Sequence, residues 1–458
     1  MATLDIPSSF PSFLSPPSPS PSPSPSPSPS PSPSSFLSCS SSSYIVPSVF
    51  FRSLSSSNYF PQAIFSPFFW PPNHRKCKSK GLGFVRCEAN PNRGISDVAK
   101  QLGALLWGRG LPPSLLVGAI RELWTSGWMI MMGQLAPSGE DGAFRRRESQ
   151  FRDRPVAPVP ASQTGRFHLY ASLTCPWAHR TIIVHALKGL ADAVPLSVAV
   201  AGTSGLWEFH PQSNSINQGI LAPTIDKANG CQRLAEVYRL RKGGYNGRST
   251  VPMLWDSLVN EVVNNESADI IEILNSDFNE VAKYPDLDLM PKHLKQDIER
   301  WNELIYPNIN NGVYRCGFAQ SQAAYEVAVK SLFSTLDILE EHLGTSRYLC
   351  GDSLTLADIR LFTTLYRFDA AYNILFKCSR KKISEYQNLY GYLRDIYQIP
   401  GIASTCDLQA VMDGYYKVLF PLNPGGICPL VPRCSETSLL LMPHDREKLL
   451  CNAIGAVR

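Results

Sequence analysis

Cys175 stands in the run Cys175-Pro176-Trp177-Ala178-His179-Arg180, after residues that read as a strand and before a proline suited to the first turn of a helix. A thiol placed there faces backbone amides that have no partner inside the helix, and such amides favour thiolate. An ordinary cysteine, with a pKa of about 8.5, is only about 3% ionised at pH 7, so depression of the pKa raises the reactive fraction steeply. His179 and Arg180 follow four and five positions on and could add positive potential, the first of them on the same helix face, although a structural role suits either. A buried core thiol is the competing reading of Cys175. The residue three positions on is Ala178, so the motif holds no second thiol to resolve a mixed disulfide. A resolving thiol has to come from outside, and glutathione is the obvious source.

The elements that would position Cys175 follow from apolar periodicity. Phe167 and Leu169 mark a strand, Pro176 opens a helix carrying Ile182, Ile183, Ala186 and Leu187, and Leu196 to Val200 form a second strand. After an irregular stretch come a strand from Val251 to Asp256, a turn, a strand at Glu261-Val262-Val263, and a helix beginning near Asn265 or Glu266. The order β-α-β, crossover, β-β-α predicts an α/β domain of thioredoxin-like type over residues 161–282. Beyond it strand signals disappear. The helical spacing of Tyr325, Val329, Leu332, Leu336, Leu339 and Leu343 predicts an all-helical domain over 283–432. Thr355-Leu356-Ala357-Asp358 has the spacing of a capping box, which gives Asp358 a structural role. Residues 88–160 read as an extension rather than a domain, with Arg145-Arg146-Arg147 as a solvated loop, and residues 433–458 as a loosely held tail.

The first 87 residues read differently. Ser15 to Ser35 is almost pure Ser and Pro alternation, with no apolar face to bury. Residues 1–87 contain six basic side chains (Arg52, Arg75, Lys76, Lys78, Lys80, Arg86) against Asp5 alone, the composition of an organelle transit peptide. Val85-Arg86-Cys87 resembles the end of a chloroplast transit peptide, so a mature chain starting near residue 88 in the plastid stroma is expected. Taking six basic and one acidic residue from 43 and 38 leaves 37 of each, so the net charge of +5 belongs to the leader and argues for neither nucleic acid nor membrane. Nine of the twelve cysteines remain, an odd number without a close-set framework, which suits reduced thiols. The longest apolar stretch, Leu115 to Leu135, contains Arg121 and Glu122 and is interrupted by Ser126-Gly127, so no membrane span is expected. The scattered histidines offer no metal-ligand spacing.

Over about Gln134 to Pro432 the sequence closely resembles the glutathionyl-hydroquinone reductases, the Xi class of glutathione transferases, in their plastid-targeted plant form. The matching stretches are the Cys175 run, Tyr245-Asn246-Gly247-Arg248-Ser249-Thr250-Val251-Pro252, Val263-Asn264-Asn265-Glu266-Ser267, Asn310-Asn311-Gly312-Val313-Tyr314, Ala357 to Thr364, and Asn423-Pro424-Gly425-Gly426. The resemblance implies a glutathione-transferase architecture and a homodimer. It also implies a reaction in which Cys175 takes glutathione from a glutathionyl-hydroquinone as a mixed disulfide that a second glutathione resolves, with glutathione as co-substrate and no metal.

The same resemblance implies a glutathione cradle of Trp207, Arg248, Val251, Glu266 and Ser267. Arg248 suits a carboxylate, Glu266 the ammonium, and Ser267 with helix amides the other carboxylate. Val251 precedes Pro252, expected to be cis and to leave the preceding backbone free to pair with the ligand. Tyr314 and Tyr415 match tyrosines whose hydroxyls face the quinol pocket, with Tyr306 and Tyr416 as near neighbours; a phenol can donate to a developing phenolate oxygen. The sequence between Gly202 and Tyr238 departs from the bacterial pattern. Competing functions are a general thiol transferase or dehydroascorbate reductase using the same cysteine, and a non-enzymatic carrier of glutathione conjugates or aromatic ligands.

Overall fold

The computed structural model describes residues 113–202, 205–210, 221–430 and 435–449. The expected leader and its cleavage site, Cys434 and Cys451 lie outside the described residues. Helix α1 (Pro113–Leu135) runs straight through Ser126-Gly127, where the sequence predicted an interruption. One interior glycine lowers helix stability by about 1 kcal/mol, which is too little to stop a 23-residue helix. Val117, Leu123, Trp124 and Ile130 of α1 are exposed, and no helix among the described residues is long and apolar enough to cross a membrane.

Strand β1 (Phe167–Ala171), helix α2 (Pro176–Leu187) and strand β2 (Leu196–Val198) form the predicted β-α-β unit, with β1 and β2 parallel. A two-residue hairpin, β3 (Val200–Ala201) and β4 (Trp207–Glu208), and a short helix, α3 (Leu234–Leu240), occupy the crossover that the sequence left irregular. Strands β5 (Met253–Asp256) and β6 (Glu261–Asn264) complete a sheet of order β2-β1-β5-β6 and lead into helix α4 (Ser267–Ser276). Side chains alternate across this sheet. Phe167, Leu169, Leu254 and Val263 enter the core shared with the helical domain, whereas Tyr170, Met253, Trp255 and Val262 pack on the other face with Val237 and Tyr238. Both faces are covered, so β1 is buried along its whole length rather than alternating with solvent.

The second domain contains α5 (Lys295–Ile305), α6 (Gly312–Gly317), α7 (Gln322–His342), α8 (Leu356–Arg367), α9 (Gln387–Tyr397) and α10 (Leu408–Tyr416). Leu332, Leu336, Leu339 and Leu343 of the predicted stripe are buried, as the spacing required. Asp358 anchors the start of α8: it accepts from the amides of Thr355 at 2.8 Å and Leu349 at 2.9 Å and from the Tyr392 hydroxyl at 2.8 Å. Two wide π-helical turns, Tyr306–Asn310 before α6 and Phe368–Tyr372 after α8, had no sequence signature. Such turns collect at functional sites, and each of these adjoins a tyrosine discussed below.

Two expectations about the ends are corrected. Residues 435–449 are pinned: Glu436, in helix α11 (Ser435–Leu441), accepts from the Tyr366 hydroxyl at 2.6 Å, and buried Arg446 donates to the carbonyls of Ser346 at 2.6 Å and Arg347 at 2.9 Å. The segment from Ala136 to Pro160 is a strap laid over both domains. It bonds the helical domain through the Ser321 hydroxyl to Asp141 O at 2.7 Å. It pairs with the outer edge of β6 through Asp153 N to Val263 O at 3.0 Å, and it holds α4 through Arg152 and Asp269 at 2.7 Å. An edge strand that would otherwise be open is thereby covered.

Candidate active site

Cys175 is the N-cap residue of α2, in extended conformation, with Pro176 in the first turn. Its half-buried sulfur receives the amides of Ala178 and Trp177 and lies 3.7 Å from the carbonyl oxygen of Val251. Burial pushes the thiol above its ordinary value; the two amides and the Arg367 and Arg146 charges pull the other way without winning. The helix start therefore acts as expected, but burial outweighs it and the net depression expected from the sequence is absent. A less acidic thiol leaves a smaller thiolate fraction of higher intrinsic nucleophilicity. Alkylation of Cys175 by iodoacetamide, followed by mass spectrometry of its peptide, is expected to be still accelerating above pH 9, because the raised group ionises there. A plateau below pH 8 would show a depressed thiol instead.

The loop before the cysteine is gripped from the helical domain. Arg367, fully buried at the end of α8, donates through Nε to Thr174 O at 3.2 Å and through Nη2 to Leu173 O. Its Nη1 reaches Thr363 O at 2.9 Å and His179 Nδ1 at 3.0 Å. An arginine donor on Nδ1 fixes the His179 proton on Nε2, which faces Thr405 Oγ1 at 3.0 Å. Burial first, and the Arg367 charge second, hold the His179 pKa well below its ordinary value. His179 is thus a neutral structural link and adds no positive potential to the thiol. On the other side, a Cβ at Gly414 would lie 2.0 Å from Thr174 Cγ2, so only glycine lets α10 seat against this loop.

The expected cradle residues are distributed around the same loop. Val251 is buried, its bond to Pro252 is cis as expected, and its amide has no protein acceptor among the described residues. Glu266 caps α4 by accepting from Ala268 N at 3.1 Å and takes a second bond from the strap, Ser149 Oγ, at 2.8 Å. Buried Ser267 lies 3.5 Å from Arg180 Nη1. Arg248 is exposed, and its guanidinium makes no ion pair among the described residues. Trp207 sits half-buried in β4 against the cluster on which Cys175 also packs, but no described contact joins it to Cys175, Arg248 or Glu266. A hollow of about 450 Å³ near β4 is lined by Glu208, Asp226, Cys231 and Arg233. Burial, with Asp226 beside it, lifts the Cys231 thiol to about 11.

The helical domain brings three phenols together. Tyr415 OH lies 2.7 Å from Tyr314 OH and 2.8 Å from Tyr372 OH. Burial raises the pKa of all three, so each stays protonated at neutral pH. Tyr415 is buried, with its hydroxyl between the other two. One direction of this chain, Tyr372 donating to Tyr415 and Tyr415 to Tyr314, leaves the O–H of half-buried Tyr314 free to donate. Its ring stacks beside Trp177 at 6.3 Å between centroids. Tyr416 is taken up structurally by Ala370 O at 3.0 Å, and the exposed Tyr306 ring lies 5.9 Å from that of Trp177 between centroids.

Residues 174–277 match the N-terminal domain of glutathione S-transferases and residues 322–395 the C-terminal domain. The chain is 43% identical over 293 residues to glutathionyl-hydroquinone reductase PcpF of Sphingobium chlorophenolicum, across 64% of this chain and 90% of that protein. It is 42% identical over 317 residues to glutathionyl-hydroquinone reductase YqjG of Escherichia coli K12, across 67% and 93%. The chain belongs to the Xi-class glutathione transferases. The solved Xi-class enzyme of Phanerochaete chrysosporium superposes with a TM-score of 0.61 at 38% identity, over 67% of this chain and 96% of that one. The glutathione-bound structure of YqjG gives 0.58 at 40% identity, over 67% and 98%.

In this Xi-class transferase several residues around the thiol carried no recognisable sequence signal. Arg146, in a run expected to be solvated, lays its guanidinium 4.4 Å over the Trp177 ring and 4.9 Å over that of Tyr314. Arg180 covers Trp177 as well, at 4.5 Å, and burial lowers its pKa to about 9. Arg367, Tyr372 and Gly414 were missed for a shared reason: their partners lie far away in sequence, and no local pattern marks them.

Proposed function

We propose that this chain reduces glutathionyl-hydroquinones with glutathione. The Cys175 thiolate attacks the glutathione sulfur of the conjugate; the disulfide forms as the carbon–sulfur bond breaks, the electron pair passes to the ring, and a proton completes the hydroquinone. A second glutathione thiolate attacks the glutathionyl sulfur of the mixed disulfide, which gives glutathione disulfide and returns Cys175. The conjugate and one glutathione thus become hydroquinone and glutathione disulfide. Arg248, the Val251 backbone, Glu266 and Ser267 hold the tripeptide, with Trp207 beside them, and Tyr314 donates to the quinol with Tyr415 and Tyr372 behind it.

The observation that carries this reading is a thiol without a resolving partner in its own motif, set beside a protonated phenol across the Trp177 ring. The names of PcpF and YqjG support the same substrate class. The test is stoichiometry: with glutathione and a glutathionyl-hydroquinone, hydroquinone and glutathione disulfide are expected in equal amounts. Failure to release hydroquinone, with dehydroascorbate reduced instead, would move the assignment to the general thiol transferases.

The proposal includes import into plastids, supported by the acid-poor, Ser-rich composition of residues 1–87. It also includes a homodimer, on family resemblance. N-terminal sequencing of the protein from isolated plastids and light scattering of the purified chain test these two points.

A further inference from the structure

We propose that Arg146 is a catalytic residue of this reaction: its terminal guanidinium nitrogens bind the quinol oxygen on which negative charge collects as the carbon–sulfur bond breaks. The inference rests on the reduction proposed above and assigns that reaction a group from the strap, outside both transferase domains.

The Arg146 guanidinium lies 4.4 Å from the Trp177 ring and 4.9 Å from the Tyr314 ring, with Phe144 at 5.7 Å. Its Nε is spent on Asn311 Oδ1 at 2.9 Å. That bond fixes the plane of the group and leaves the edge bearing Nη1 and Nη2, neither of which has an acceptor among the described residues. No carboxylate pairs with Arg146 among them either. A half-buried guanidinium boxed by aromatic rings and lacking a counter-ion is a prepared site for an oxyanion, and its fixed fork takes one without reorganisation. The box sits beside the nucleophile, because Trp177 supplies one of the amides on the Cys175 sulfur. Aromatic walls suit a quinol ring better than the peptide of glutathione, for which exposed Arg248 remains available.

The conjugate reacts in its keto tautomer, with a proton on the carbon that bears sulfur. Cys175 bonds to the glutathione sulfur, the carbon–sulfur pair enters the ring, and the carbonyl becomes a phenolate held by Arg146. Tyr314 supplies the proton that makes the hydroquinone and regains one from solvent. The stabilisation exists only while charge develops, so it belongs in kcat rather than KM.

The test compares Arg146→Gln, Arg146→Lys and the control Arg145→Gln, using glutathionyl conjugates of quinols graded from methyl-substituted to chlorinated. Removal of an oxyanion donor is expected to lower kcat about 10²-fold in Arg146→Gln, with KM and the rate of Cys175 alkylation changed less than about threefold. The loss should be greatest for the least acidic quinols, Arg146→Lys should recover part of it, and Arg145→Gln should match the wild type. A structural role alone would not change the dependence on quinol acidity. If the glutamine variant melts below assay temperature, the acidity dependence of the lysine variant decides. The role is overturned by unchanged kcat, by alkylation falling in step with kcat, or by a rise in KM for glutathione alone. Wild-type protein that releases no hydroquinone overturns the reduction as well, whereas an active wild type with unimpaired Arg146→Gln overturns this role alone.

Discussion

Cys175→Ser is expected to lower hydroquinone release by about 10³-fold or more while the protein melts at or slightly above the wild-type temperature. A serine hydroxyl is scarcely ionised at neutral pH and cannot form the disulfide on which the second glutathione acts. The fold should tolerate the change, because the cap of α2 makes no demand that sulfur alone meets. Serine is among the preferred N-cap residues, worth about 1 kcal/mol over a non-capping side chain, so its oxygen can take over the helix-start amides from the sulfur. Activity and stability move in different directions, which separates loss of the nucleophile from loss of the fold. Parallel kinetic assays and thermal melts check both.

Arg367→Met is expected to cost about 3–5 kcal/mol in stability. Methionine preserves much of the volume but leaves the carbonyls of Leu173, Thr174 and Thr363 and the Nδ1 of His179 without their donor inside a closed interface. Each stranded acceptor costs about 1–3 kcal/mol, and partial relaxation keeps the total below the sum. Lysine should rescue poorly, since one ammonium cannot span acceptors arranged around a planar fork. Removing Arg367 also removes the larger of the two charges that oppose burial at Cys175, so the thiol should rise further and alkylation at pH 8 should slow. Denaturant titration with alkylation kinetics measures both; a loss below about 1 kcal/mol would show that the loop before Cys175 is held by something else.

Features written locally were legible in the sequence. The apolar runs of β1, β5 and β6, the proline after Cys175, the stripe along α7 and the box from Thr355 to Asp358 each depend on neighbours within a few residues, and each lies in the element expected there. Family resemblance added Tyr314 and Tyr415, which meet across 101 residues. Arg146 was not legible, because nothing distinguishes the middle arginine of three until Asn311, 165 residues on, takes its Nε. Arg446 likewise reaches carbonyls about a hundred residues back, which is why a pinned segment read as a loose tail. Helix α3 is only seven residues long and too short to show a period. His179 was placed correctly on α2, but its charge depended on Arg367, which no spacing within α2 could reveal.

The mixed disulfide at Cys175 is the intermediate through which the reaction must pass. Full-length protein mixed with one equivalent of a glutathionyl-hydroquinone, with no free glutathione, is expected to release one equivalent of hydroquinone in a single burst. It should gain the mass of one glutathionyl group on the Cys175 peptide and return to the thiol when glutathione is added. Hydroquinone released without that adduct, or an adduct on another cysteine with Cys175 free, would contradict it.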